Sequence, residues 1–399
     1  MEPLPRLTAE QTAERLGVKL ETLYAYVARG RLARRRTAEG STFDPLEVER
    51  FAAARRRRPA GEGHSAGRPL MVIDTTFALI DDGDLFFRGR RAADLAHSRF
   101  ETVARWALTG SWEEDARFTA GAGVETAREV VRALPESSGD RDRQLVAVTA
   151  LAVADPFRHS LRADIVAGAA ERIVSGMVAV LDDRAAGHAD DPLAVSLWHA
   201  LTRRQPSPAE KAALNAALVL LIDHDIAVST LAARAAASAR AGAYAVVTAG
   251  LGALDSPLHG NASRAAHRML ARVADGDDPA RVVADSVLTA SGPVPGFGHP
   301  LYPGGDPRAR TLLEFLAEVP GSGRVLSAVD SVADLVGERT GAHPTIDLAL
   351  GALSLAAGMP DDAGEVIFAT GRTVGWIVHA LDEYREQPLR LRPVGRYTG

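Results

Sequence analysis

The sequence predicts a mostly α-helical protein of more than one domain, and three observations carry that expectation. Ala/Leu/Val-rich stretches recur at helical spacing with recognisable caps, extended runs are few and short, and 399 residues exceed one ordinary domain. Charge is also divided unevenly. Residues 1–68 hold 14 Lys/Arg against 9 Asp/Glu; the whole chain holds 46 against 51, which leaves 32 against 42 for the remainder. That asymmetry predicts two parts with different partners.

Composition removes several chemistries. With no cysteine there is no disulfide, thiolate nucleophile or Cys-ligated zinc, and no metal is expected. The opening "MEPLPRLTAEQTAERLG" lacks the pattern of a signal peptide, and no uninterrupted apolar run approaches the roughly 18 residues of a membrane span. A soluble, cytoplasmic protein that does not engage membranes is the expectation.

The first domain is expected over residues 1–54. "TAEQTAERLGV" sets Thr8 and Gln11 as a capping box, with Gly17 to end the helix in a left-handed turn. "LETLYAYVARG" reads as a short second helix, "RLARRRTAEGSTF" as a hairpin around Glu39-Gly40, and Asp44-Pro45 as the start of a closing helix. Helix, tight turn, helix, hairpin, helix is the plan of a small winged helix-turn-helix domain. "LTAEQTAERLGVKLETLYAYVARGRL" resembles the excisionase or MerR-like helix-turn-helix family. The resemblance implies DNA contacts from Lys19, Thr22, Tyr24 and Arg29 on the second helix and Arg34, Arg35 and Arg36 on the wing.

Residues 55–69 follow as a linker, a charge run succeeded by small and turn-forming residues. From residue 70 onward, "TTFALIDDGDLFFRGRRAADLA" offers two extended runs around Asp81-Asp82-Gly83-Asp84, after which helices dominate. The clearest cap is "SPAEKAALNAALVLL", with Ser207 as N-cap, Pro208 in the first helical position and Glu210 in the third.

Four polar clusters interrupt this apolar sequence. "LIDHDIAVST" puts His224 at the end of that capped helix, where the dipole favours protonation. "LDSPLHGNASRAAHRML" puts His259 near a helix N-terminus, where a neutral imidazole can donate to a developing oxyanion. "PVPGFGHPLYPGGDPRAR" is a stiff Pro/Gly loop carrying His299 and Arg308, and such a backbone lets a ligand approach closely. "HPTIDLALGALSLAAG" places Asp347 in a first helical turn ahead of a wholly apolar run, a good setting for a base. Arg372 has Phe368, Ala369, Gly375 and Trp376 as its helical neighbours, none of them acidic. A buried guanidinium there needs a distant carboxylate or an anionic ligand.

Taken together, "IDHDIAVST", "SPLHGNASRAAHRML", "PGFGHPLYPGGDPRA", "TIDLALGAL", "GRTVGWIVHALDEY" and "RPVGRYTG" resemble the citrate synthase family in order and spacing. The resemblance implies a citrate-synthase-like domain over residues 70–399, of two-domain helical fold, with a small mobile subdomain at about 250–355. It implies a homodimer without a tightly bound cofactor, using a coenzyme A thioester as co-substrate. On this match Asp347 removes a methyl proton from acetyl-CoA, His259 stabilises the enolate, and His299 donates to the ketone of oxaloacetate. His224, Arg308 and Arg372 match oxaloacetate binders, Arg392 the one supplied by the partner subunit, and Pro295, Gly296, Phe297 and Gly298 the loop facing coenzyme A.

Two departures leave the acyl donor open. Asn261 to Arg264 stand where relatives usually have a second glycine and then an acidic residue, and Pro300 where many bacterial relatives have arginine. Propionyl-CoA, giving 2-methylcitrate, is therefore kept beside acetyl-CoA. A DNA-binding regulator that senses an acyl-CoA or a dicarboxylate without turnover is the other reading, and a protein-interaction arm is the alternative for the first domain.

Overall fold

The computed structural model describes residues 4–37, 40–57, 72–181, 191–256, 262–289 and 293–397. The N-terminal unit consists of β1 (Leu7–Thr8), α1 (Ala9–Leu16), α2 (Leu20–Ala28), β2 (Arg35–Thr37), β3 (Gly40–Phe43) and α3 (Pro45–Arg57). Thr8 and Gln11 form the expected capping box, and Gly17 closes α1 at φ 60°. Asp44 accepts from the backbone N–H groups of Leu46 and Glu47, so it caps α3.

Two features of this unit differ from expectation. The two-residue β1 pairs antiparallel with β3, Leu7 opposite Phe43 and Thr8 opposite Thr42, and is too short to show an alternating pattern. The expected linker at 55–69 begins inside a helix, because α3 continues through Arg57 on arginines, which are good helix formers. Arg55 is tied down there, donating to the Leu16 carbonyl at 2.9 Å and stacking over Tyr26.

The body opens with the antiparallel sheet β4 (Ala78–Asp81), β5 (Asp84–Phe87) and β6 (Arg90–Arg91). The helices α4 (Ala92–Leu95), α5 (Phe100–Thr109), α6 (Val124–Arg132), α7 (Asp140–Ala154), α8 (Ala163–Ala179), α9 (Leu193–Leu201) and α10 (Pro208–Leu220) follow. After them come α11 (Val228–Ser238), α12 (Ala243–Leu254), α13 (Ala262–Ala274), α14 (Pro279–Thr289), α15 (Pro307–Ala317), α16 (Gly323–Thr340), α17 (Ile346–Ala356) and α18 (Ala363–Glu383). No helix among the described residues is long and apolar enough to cross a membrane.

Helix α18 is the axis of the body. Every residue in it except Asp382 is buried, and α7, α8, α10, α11 and α12 pack around it. A helix that is apolar almost all round belongs inside a large core, as its sequence predicts. Packing against α10 and the residues that follow it is close: a Cβ on Gly371 would lie 2.8 Å from the Leu218 carbonyl oxygen, and one on Gly375 2.0 Å from that of Ile222, so no larger residue fits at either. A second group, α13, α14, α16 and α17, packs mainly on itself, with α13 against α17.

The N-terminal unit has its own small core, including Leu7, Leu23, Leu32, Phe43 and Phe51. It also leans on the second group. Helix α3 packs against α14 and α16, Leu288 of α14 joins the small core, Leu46 joins the main one, and Asp44 pairs with Arg339 at 2.9 Å. About fifty residues bury too little surface to be robust alone, so this docking adds to their stability.

Candidate active site

Two loops and the helices α15, α17 and α18 meet where the candidate residues gather. The first loop follows α10, whose capping box of Ser207 and Glu210 is present as expected. Past its last turn the chain runs through buried Asp223 and His224, and Asp225 takes a left-handed conformation at φ 55° before α11 begins. Aspartate is among the few residues that tolerate this region.

The second loop, residues 293–306, is held by a short ladder to the segment entering α17. Gly298 N–H donates to the His343 carbonyl at 2.9 Å, and Thr345 N–H donates to the Gly296 carbonyl at 2.8 Å. Gly296 has φ 78°, and a Cβ there would lie 2.8 Å from Leu348 Cβ, so glycine is required for this approach. Pro295, Gly296 and Phe297 are buried and Gly298 is exposed. Beside Pro295 opens a groove of about 400 Å³ whose lining includes Arg264, Arg268, Arg272 and Ser286.

Asp306 joins the pieces. It caps α15, grips Arg308 Nε and Nη2 at 3.0 and 2.8 Å, and accepts the Ile346 N–H at 3.0 Å from the first turn of α17. The pair is almost fully buried, with side-chain exposures of 3 % and 0 %. Burial opposes both charges, but each holds the other: Asp306 is shifted down and Arg308 up. The remaining guanidinium face of Arg308 lies over the Tyr302 ring, 5.8 Å from its centroid.

His224, His299 and Tyr302 form one aromatic cluster. The two imidazoles meet edge to face at 4.7 Å, and Tyr302 lies 5.2 and 5.3 Å from them. Leu301 N–H donates to His299 Nδ1 at 3.2 Å, which places the ring proton of a neutral imidazole on Nε2. Burial and then the Arg308 charge push His299 down to about 4, so it is neutral at pH 7. Tyr302 is buried, its hydroxyl has no hydrogen-bond partner among the described residues, and burial shifts it well above the ordinary phenol range.

Arg372 is 1 % exposed and comes from α18. Its Nε donates to the Leu221 carbonyl at 2.8 Å, a reach that the close α10–α18 packing allows, and it stacks on Phe368. Among the described residues no carboxylate lies within ion-pair distance, and Nη2 is buried without a partner. Burial pulls Arg372 down to about 10, still charged near neutrality. Asp347, in the first turn of α17 as expected, is partly open by surface area yet ringed by enough protein that burial leads its shift. It is raised to about 6, while the charges of Arg308 and Arg372 oppose the rise.

The structure thus brings together His224, His299, Arg308, Asp347 and Arg372, with the loop Pro295–Gly298 beside them. His259 lies at 257–261, outside the described residues. Arg392 is exposed on the C-terminal segment, where its backbone N–H donates to the Leu389 carbonyl. In the N-terminal unit Lys19, Tyr24, Arg29, Arg34, Arg35 and Arg36 are exposed and Thr22 is half-buried. Arg34 stacks over Tyr24 at 5.8 Å, which draws the hairpin toward α2. Among the described residues no cluster of acids and histidines is arranged to hold a metal ion.

Sequence reasoning missed Tyr302, Asp306 and Asp223. The Asp-Pro pair at 306–307, an N-cap followed by proline in the first helical position, was a readable signal for Asp306. Tyr302 carried none, because its isolation as a buried hydroxyl exists only in the folded site.

A mostly apolar body with two buried arginines, two imidazoles, a phenol and a raised carboxyl in one cluster fits recognition of a small anion beside a base. Residues 67–394 match the family model described as "Citrate synthase, C-terminal domain", a span that starts after the N-terminal unit. Citrate synthase 2 of Bacillus subtilis is 32% identical over 53% of this chain and 57% of its own length. Citrate synthase of Haloferax volcanii is 35% identical over 52% and 55%, and 2-methylcitrate synthase 2 of Corynebacterium glutamicum is 31% identical over 48% and 51%. The chain spans about half the length of these curated relatives. The solved ternary complex of carboxymethyl coenzyme A and oxaloacetate with the Thermoplasma acidophilum citrate synthase superposes with TM-score 0.67 at 25% identity, over 83% of this chain and 94% of that one. The Thermotoga maritima citrate synthase shares the fold, with TM-score 0.64 at 23% identity over the same shares. On fold, site and family match alike, the chain belongs to the citrate synthase family.

Proposed function

We propose that the protein is a citrate-synthase-type acyltransferase that condenses acetyl-CoA with oxaloacetate, with propionyl-CoA as the competing donor. One observation carries this reading: the charges of Arg308 and Arg372, both nearly fully buried, reach the carboxyl of Asp347, which burial raises to about 6. Two guanidinium groups suit a dicarboxylate, and a base tuned near neutrality suits removal of a weakly acidic proton. The Thermoplasma relative that binds oxaloacetate and a carboxymethyl coenzyme A supports the substrate pair.

On this reading Asp347 takes a proton from the methyl group of the thioester, and the resulting enolate carbon attacks the ketone carbon of oxaloacetate. His259 is the donor that the resemblance assigns to the thioester oxygen. Neutral His299 gives its Nε2 proton to the ketone oxygen as the new carbon–carbon bond forms, so the condensed product carries a hydroxyl. Water then hydrolyses the thioester of the condensed product, releasing coenzyme A as the free thiol. The groove beside Pro295, with arginines on one wall, supports a binding path for the coenzyme's phosphates. A homodimer in which Arg392 of each subunit completes the partner's site belongs to the same proposal.

The test is thiol release from acetyl-CoA and from propionyl-CoA, each with and without oxaloacetate, beside an Asp347→Asn control. Oxaloacetate-dependent release that falls by about 10²–10⁴ in the control is expected, the range for loss of a general base. The ratio of rates names the donor. No release despite saturable ligand binding would make the body a sensor.

The N-terminal unit is proposed as a winged helix-turn-helix that touches DNA. The exposed guanidinium row of Arg34, just before β2, and Arg35 and Arg36 within it favours this over a bare protein-interaction arm. DNA titrated at several salt concentrations should show a steep salt slope, reduced by about one for each arginine replaced by glutamine. A flat slope would exclude the reading.

A further inference from the structure

Beyond Arg372, helix α18 carries buried polar groups that the proposed chemistry does not use. Arg372, Trp376, His379 and Glu383 share one helical face at spacings of three and four, and all are buried. His379 Nε2 lies 2.9 Å from Asp223 Oδ2, and its Nδ1 lies 3.1 Å from Arg234 Nη1. Arginine has no acceptor, so Nδ1 accepts and Nε2–H donates to Asp223. Arg234 in turn donates from Nε and Nη2 to Glu383 Oε2 at 3.2 and 2.9 Å, and Arg390 closes the far end on both Glu383 oxygens. Asp223, Arg234, His379 and Glu383 are each at most 1 % exposed.

The near end of this chain is Asp223, which immediately precedes His224 and sits where Gly375 lets α18 touch the 222–223 backbone. We propose that the buried chain Glu383–Arg234–His379–Asp223 is a positioning device that fixes His224 and Arg372 for the dicarboxylate. It rests on the proposed function, in which those two bind oxaloacetate. A buried ionic chain is a poor way to gain stability compared with well-packed apolar side chains, but it fixes geometry at both ends. Asp223 also bears on Arg372 directly: among the groups around that guanidinium, its charge most strongly opposes the downward pull of burial.

The experiment compares His379→Leu with His379→Gln in the full-length protein, reading KM for oxaloacetate, KM for the acyl-CoA and kcat. Leucine removes both bonds, and oxaloacetate KM should rise by about tenfold or more while the acyl-CoA KM stays within about twofold, as for one lost bond to a charged group. Glutamine offers an acceptor to Arg234 and a donor to Asp223, and should restore oxaloacetate KM to within about threefold. A folded leucine variant with unchanged oxaloacetate KM overturns the proposal, as does a glutamine variant that fails as badly as leucine. If leucine does not fold, Glu383→Gln decides: a rise of about three- to fivefold in oxaloacetate KM alone supports the chain, and no change overturns it. Absence of oxaloacetate-dependent release in the unmutated protein would instead overturn the functional reading, and the positioning role with it.

Discussion

The N-terminal unit and the active-site pocket both concentrate arginine and aromatic residues, but they place them in opposite surroundings. In the unit, Arg29, Arg34, Arg35 and Arg36 face solvent; in the pocket, Arg308 and Arg372 are 3 % and 1 % exposed. A guanidinium in water is already satisfied, so it places few demands on its neighbours. A buried one demands a partner, and the pocket shows two ways of meeting that demand. Arg308 is clamped by Asp306, while Arg372 rests on a carbonyl and a ring with Nη2 unpartnered. Burial therefore turns charge into a specific expectation about a ligand, and exposure leaves it generic.

The contrast can be broken most forcefully at Arg372. Arg372→Leu should weaken oxaloacetate binding by about 10²–10³, because a desolvated charge–carboxylate interaction is lost. Calorimetric titration with oxaloacetate checks this; affinity within about threefold of the unmutated protein would show that Arg372 only fills the core.

Acid should act next most strongly. Asp347 is raised to about 6, and the proposed mechanism uses its ionised form, so kcat/KM should be level above about pH 7 and fall about tenfold per pH unit well below 6. His299, at about 4, should add no limb near neutrality. A profile that stays level down to pH 4.5 would remove Asp347 from the role of base.

Tyr302→Phe sharpens the comparison with a single atom. The hydroxyl is buried and unpartnered, so in the pocket its deletion should raise oxaloacetate KM by about five- to tenfold with little loss of melting temperature. If KM is unchanged and the protein becomes more stable, the hydroxyl does not meet the substrate.

The smallest effect belongs to the N-terminal unit. Asp44→Ala removes the cap of α3 and the partly exposed pair with Arg339, and should destabilise the unit's docking by about 1–2 kcal/mol, almost all of it from the cap. Protease sensitivity near residue 57 should rise while kcat stays within about twofold, a shift of no more than about 0.4 kcal/mol. A larger fall in kcat would tie the unit to α14 and α16, the helices that lead toward the 293–306 loop and α17.

Much of the local structure was legible before folding. Thr8 with Gln11, Ser207 with Glu210 and Gly17 stand where the sequence places caps, because capping depends on residues within one turn of each other. Asp347 in the first turn of its helix was legible for the same reason. The end of α3 was not, since arginines suit a helix and a solvated linker about equally. Tyr302 and Asp223 were invisible because their roles come from partners far along the chain: His224 for one, His379 on α18 for the other.

The sequence by itself determined the helical class, the caps, the charge asymmetry and the ordered motifs that mark the family, all properties of neighbouring residues or of composition. Tertiary structure alone decided which buried groups have partners and which do not. Whether Arg372 is satisfied and what His379 bridges depend on distances between residues more than a hundred positions apart, and how far Asp347 is raised depends on dehydration and on charges brought up from other helices.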